Sequence, residues 1–119
     1  MVMIDRVRCA ALLILLFVAV PQIHAQTQAA MNAEARADFA RADAELNKTY
    51  EALLKKLPDA ESKTKLKESQ RAWLVFRDAD AAFAGDQARG GSMAPTIRYE
   101  TMTELTQQRI KQLKSRLEE

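Results

Sequence analysis

From Asn32 onward, apolar and polar positions repeat with the period of an α-helix: Phe39, Ala42, Leu46, Tyr50, Leu53 and Leu57 fall three or four residues apart. Asn32 is placed to cap this first helix, the polar, alanine-rich Gln26–Met31 before it reads as a loose tail, and Pro58 stops it. Asp59 caps a second run, whose stripe of Leu66, Trp73, Phe76 and Phe83 predicts a helix to about Ala84. Gly85–Pro95 holds all three glycines, Gly85, Gly90 and Gly91, together with Ser92 and Pro95, and predicts a loop. The helical period resumes at Tyr99, Met102, Thr106, Ile110, Leu113 and Leu117, with Lys111, Lys114 and Arg116 where they complement the helix dipole. No segment alternates strictly, as a half-buried strand would, and there is no internal repeat. Three amphipathic helices with one short and one medium connection predict an all-α fold, a small antiparallel bundle of about three helices whose thin core includes Trp73.

The first thirty residues follow a different rule. Arg6 and Arg8 precede Cys9–Val20, a run without a polar or charged residue. About a dozen apolar residues fall short of the roughly 20 that span a bilayer as a helix. Pro21 ends the run, and Ile23-His24-Ala25 leaves a small residue before Gln26, the pattern of a secretory signal cut after Ala25, with Ala29 as the second choice of site. Residues 1–25 are therefore expected to be a signal peptide and 26–119 the helical domain, periplasmic or secreted, with no membrane span after cleavage. A lipid anchor needs a cysteine behind the apolar run. Cys9 stands in front of it, so a lipoprotein is not expected.

Cleavage changes the chemistry available. It removes the only cysteine and the only histidine, His24, which leaves no base for a Ser/His/Asp or Cys/His nucleophile and no histidine for a helical metal site. No cofactor is implied. It also takes the net charge from +2 to about +1, without the concentrated basic stripe that nucleic acid requires. Asp78, Asp80 and Asp86 sit near the glycine loop and have the composition of a glycosidase pair, but a solvated helix end explains them as well, and three thin helices rarely hold a sugar chain. The chain is expected not to be an enzyme.

The most specific stretch is Gln70-Arg71-Ala72-Trp73-Leu74-Val75-Phe76-Arg77-Asp78. Gln70, Trp73 and Arg77 share one helix face, which puts an amide and a guanidinium on either side of the only tryptophan. Two readings fit. Arg77 lies across apolar surface and pairs with a helix 1 carboxylate, Asp43 being the one that interrupts the apolar stripe. Alternatively, Trp73 and Arg77 are anchors of a partner-binding face.

The motifs Ala42-Asp43-Ala44-Glu45-Leu46-Asn47-x-x-Tyr50, Gln70-Arg71-Ala72-Trp73-x-x-x-Arg77-Asp78, the Gly90-Gly91-Ser92 turn and Leu105-Thr106-x-x-Arg109-x-x-x-Leu113 occur in this order over nearly all of the chain after residue 25. Together they resemble the lysozyme inhibitor LprI-like family. The resemblance implies an all-helical, exported bacterial domain, with Asp43, Leu46, Asn47, Tyr50, Gln70, Trp73, Arg77, Asp78, Thr106 and Arg109 as its motif positions. Many members carry two cysteines able to form a disulfide; the corresponding positions here are Ala81 and Thr101.

Two functions from different classes follow. The first is an envelope interaction protein, an accessory module that binds another envelope protein or a second copy through a helix face. The second is a lysozyme inhibitor that inserts the loop Arg89, Gly90, Gly91 and Ser92 into a carboxylate-bearing cleft, Arg89 supplying the cation and Ser92 a hydroxyl. Common lysozymes are basic, so a domain near +1 gains no long-range steering toward them. Both readings require export. The mass of the protein recovered from the periplasm is expected to place Gln26, or a residue within a few positions of it, at the new N-terminus; an intact Met1 in the membrane fraction would contradict that.

Overall fold

The computed structural model describes the backbone of residues 19–119 and the side chains of residues 25–119. The basic stretch Met1–Arg8 and all but the end of the apolar run Cys9–Val20 lie outside the described residues, as do the side chains of Cys9 and His24. Three helices make up the fold: α1 (Ala19–Lys56), α2 (Ala60–Asp86) and α3 (Ala94–Leu117). Neighbours in sequence run antiparallel. Contacts such as Arg36 with Tyr99 and Glu45 with Lys114 show α1 and α3 running in the same direction. α3 is the central element: it packs along both others, which approach each other far less.

The α1–α2 junction follows its sequence closely. Pro58 lacks the N–H that would continue a helix, and Asp59 adopts an extended backbone and accepts a 2.7 Å hydrogen bond from the Ser62 N–H. That bond, with one from the Ser62 hydroxyl, holds the Asp59 carboxyl below the ordinary carboxylate range. At this end of the bundle lies the apolar core of Leu46, Leu53, Leu66, Ile110 and Leu113, flanked by Tyr50, Leu54, Leu57, Trp73 and Leu117.

Two expectations at the opposite end are corrected. Gln26–Met31 is not a loose tail but part of α1, and Asn32 is an interior residue rather than its cap. The alanines there favour helix, and the polar side chains find partners on the start of α3: Gln28 Nε2 donates to Asn32 Oδ1 at 3.3 Å and to Thr96 Oγ1 at 3.2 Å, and the Thr96 hydroxyl donates to Asn32. The loop is also shorter than expected, since α2 continues to Asp86 and α3 starts at Ala94, with Pro95 in its first turn. Gly85 is a buried helical residue. A Cβ there would stand 3.2 Å from the Ala94 carbonyl oxygen and 3.4 Å from the Arg98 Cβ, so the absent side chain lets α2 and α3 close together. Gly90, with φ +83°, is the residue that turns the chain in the left-handed region.

The stripe expected on α2 is right only in its first half. Leu66 is buried and Trp73 packs on the core, but Phe76 and Phe83 are 53% and 66% exposed. The inward face carries Leu66, Gln70, Arg77, Ala81 and Gly85, and the two phenylalanines stand about a third of a turn from its centre. Toward its C-terminal end that face is small, Ala81 and Gly85, because α2 there lies so near α3. Among the described residues, one buried side-chain oxygen has no partner: Thr106 Oγ1, on a fully enclosed side chain of α3. Thr106→Val keeps the shape and removes the stranded hydroxyl, so chemical denaturation is expected to show a gain of about 1 kcal/mol. A loss of similar size would show that the hydroxyl is hydrogen-bonded in solution.

Candidate functional site

The motif of α2 and α3 builds a buried polar centre. Arg77, whose side chain is only 8% exposed, donates from Nη1 to Asp43 Oδ1 at 3.1 Å and from Nε to Asp78 Oδ1 at 3.0 Å. The α1–α2 ion pair expected of Asp43 and Arg77 is thus formed. The Arg77 guanidinium lies 5.3 Å from the centre of the Trp73 ring and 5.0 Å from that of Phe39. Arg109 also stands over the indole, 5.8 Å from the ring centre, and donates to Gln70 Oε1 at 3.0 Å, Ser69 Oγ at 3.1 Å and Gln112 Oε1 at 3.2 Å. All three acceptors are neutral, and burial, followed by the nearby Arg116 charge, lowers the Arg109 pKa from its ordinary value. The guanidinium nonetheless stays charged, as arginine does in proteins.

Most motif positions are buried or packed against the core. Leu46 and Thr106 are fully buried, Tyr50 packs on the core, and Gln70, Trp73, Arg77 and Arg109 hold one another; Asp78 serves Arg77 from the surface, and Asn47 is exposed. Ala81, at one of the two family cysteine positions, is completely enclosed, and Thr101 donates its hydroxyl to the Ile97 carbonyl.

The loop residues sit differently from one another. Arg89 is exposed but pinned by two 2.7 Å hydrogen bonds to Asp86, so a carboxylate of its own chain already occupies the cation. Gly90 and Gly91 are open to solvent, and the Ser92 hydroxyl donates to Gln28 Oε1 at 3.4 Å.

Beside this loop the sequence reading missed an open groove of about 850 Å³, walled by α1, the end of α2 and the start of α3. Arg36 and Arg98 line it with Tyr99, Asn32 and several alanines, and no acidic residue does. Arg36 Nε donates to the Tyr99 hydroxyl at 3.2 Å with its guanidinium 5.7 Å from the ring centre; Tyr99 meets Phe39 at 6.1 Å between centroids. The available signal was Arg98-Tyr99 one turn into α3, but its meaning depended on knowing that α1 is helical before Asn32. Among the described residues, no group of three or more His, Cys, Asp or Glu could hold a metal, and no helix is long and apolar enough to cross a membrane.

The lysozyme inhibitor LprI family profile matches residues 21–113, which takes in all three helices. The chain belongs to this family. It is also 39% identical to an uncharacterized protein of Rhizobium meliloti (strain 1021), over 79% of this chain and 76% of that one. No solved structure matches it. In this family member the geometry separates a buried framework from an exposed groove and loop.

The Arg77 framework is open to measurement. Arg77→Ala is expected to cost about 2 to 5 kcal/mol, chiefly because it empties the buried space against Trp73 and Phe39. Asp43→Ala should cost about 1 kcal/mol, since Asp43 is 38% exposed and Asp78 still holds the cation. In a double-mutant cycle read by denaturation, the pair should couple by about 1 kcal/mol. Strictly additive effects would mean that the contact is not kept in solution.

Proposed function

We propose that this protein is an exported, periplasmic or secreted interaction protein that blocks a lysozyme, and that the Arg36–Arg98 groove, rather than the loop alone, is the surface that does so. The observation that carries this reading is the pair of guanidiniums lining one open groove without an acidic neighbour among its lining residues. A lysozyme cleft holds catalytic carboxylates. Planar guanidinium donors match carboxylates in charge and geometry. Family membership supplies the partner class, and the Arg-flanked apolar N-terminus supports export.

This alters the role of the loop. Arg89 would have to leave Asp86 before it could engage another carboxylate, whereas among the described residues Arg98 has no such carboxylate contact and Arg36 bonds to the neutral Tyr99. Gly90, Gly91 and Ser92 are not among the residues that line the groove. Complementarity is local. A net charge near +1 gives no long-range attraction to a basic enzyme, so association would be slow in comparison with steered pairs. An accessory role at the cell envelope is the wider form of the same reading, with the groove receiving another acidic partner.

Clearing of a bacterial suspension by purified lysozyme, followed by turbidity, tests this directly. The protein is expected to slow clearing; Arg36→Ala with Arg98→Ala should raise the concentration needed by at least about tenfold, equivalent to the loss of one charge-assisted contact of about 1.4 kcal/mol. Arg89→Ala with Ser92→Ala should change it little. The opposite ranking would return the role to the loop, and no inhibition by the unmodified protein would overturn the lysozyme reading.

A further inference from the structure

The face of α2 that points away from the core is apolar over three turns. Ala72, Val75, Phe76, Ala79, Ala82 and Phe83 are all exposed, with Val75 at 72%, Phe76 at 53% and Phe83 at 66%. Their spacing of three and four residues puts them on one continuous strip, opposite the buried Gln70, Arg77 and Ala81. Scattered surface hydrophobes are ordinary, but two phenylalanines and a valine aligned on one helix face form a patch of the kind that marks an interface. The strip is separate from the Arg36–Arg98 groove except at Ala82, which borders both.

Charge at the two ends of the strip indicates what covers it. Glu68 and Arg71 stand at the N-terminal end, and Asp86 and Arg89, already joined as an ion pair, at the C-terminal end. Both ends thus carry an acidic residue followed three positions later by a basic one. When two such helices lie antiparallel, one register brings Arg71 opposite Asp86 of the second copy and Glu68 opposite Arg89 of the second copy at the same time. The two-fold axis repeats both pairs at the other end. In that register Val75 faces Ala82 of the second copy on one edge of the strip, Ala79 lies beside its own symmetry mate, and on the other edge Phe76 comes beside Phe83 of the second copy, an aromatic pair that the axis repeats. A parallel arrangement would set like charges together.

We infer that the outer face of α2 is a self-association surface, on which a second copy of this chain packs antiparallel about a two-fold axis near Asp78 and Ala79. The interface is isologous, as two-fold contacts are. A helix face of this kind needs no rearrangement of the helices, because every residue named is already exposed; the Asp86–Arg89 pair has only to be shared with Arg71 and Glu68 of the second copy.

Light scattering coupled to size exclusion, with protein purified from cells expressing the full chain, is expected to give twice the chain mass at tens of micromolar. Phe83→Glu should return it to the single-chain mass, with the dissociation constant raised at least about tenfold and helical circular dichroism unchanged. Orientation is read by cysteine crosslinking in a Cys9→Ser background. Ala79→Cys, beside the axis, should give a covalent dimer under mild oxidation; Ala72→Cys, far from its symmetry mate, should not. A single-chain mass at all concentrations, an unaffected Phe83→Glu dimer, or crosslinking through residue 72 would each overturn the proposal. None of these measurements involves lysozyme, so they stand apart from the groove's proposed role.

Discussion

Arginine and aromatic rings alternate through the middle of this bundle, and its three helices are registered by that alternation. Arg109 of α3 lies against Trp73 of α2, Arg77 of α2 lies between Trp73 and Phe39 of α1, and Phe39 meets Tyr99 of α3, which Arg36 of α1 covers. Each cation–ring contact is worth about 0.5 to 2 kcal/mol, more when shielded from water. The ladder does what additional leucines could not. An apolar contact tolerates sliding, whereas a guanidinium fixed by hydrogen bonds to Gln70, Ser69 and Gln112, or to Asp43 and Asp78, sets both the height and the rotation of its helix.

With no disulfide between positions 81 and 101, that registry must come from side chains. Ala81 and Gly85 take little room, and α2 settles onto α3 closely enough for Arg109 to reach across to Ser69 and Gln70. The same closeness keeps bulky residues out of this face and leaves Val75, Phe76 and Phe83 to the outside. Framework and outward surface are thus two results of one packing distance.

Much of this could be read in the chain. Periodicity located α1 and α3 because their stripes are made of leucines, isoleucine and methionine facing the core, and Pro58-Asp59 marked the α1–α2 turn by local chemistry alone. The Asp43–Arg77 pair was legible because a charge interrupting an apolar stripe needs an opposite charge nearby. The inner face of α2 was not legible, because Gln70, Arg77 and Gly85 do not look like core residues until their partners are known; the phenylalanines, taken as core, seemed the better candidates by hydrophobicity. Gln26–Met31 was misjudged for a related reason. Within it, Gln28 bonds to Thr96 and Ser92, more than sixty residues away in sequence.

Leucine and isoleucine packing is concentrated toward the α1–α2 turn, while the end that carries the groove is built from alanines, one threonine and a few side-chain hydrogen bonds. Backbone amides should therefore exchange with solvent along a gradient, slowest around Leu46 and Leu113 and fastest in the first described turns of α1. One groove wall belongs to the fast-exchanging end. Any molecule held there draws on the helix–coil equilibrium of α1 as well as on direct contact, and its apparent affinity includes the free energy of keeping those turns wound.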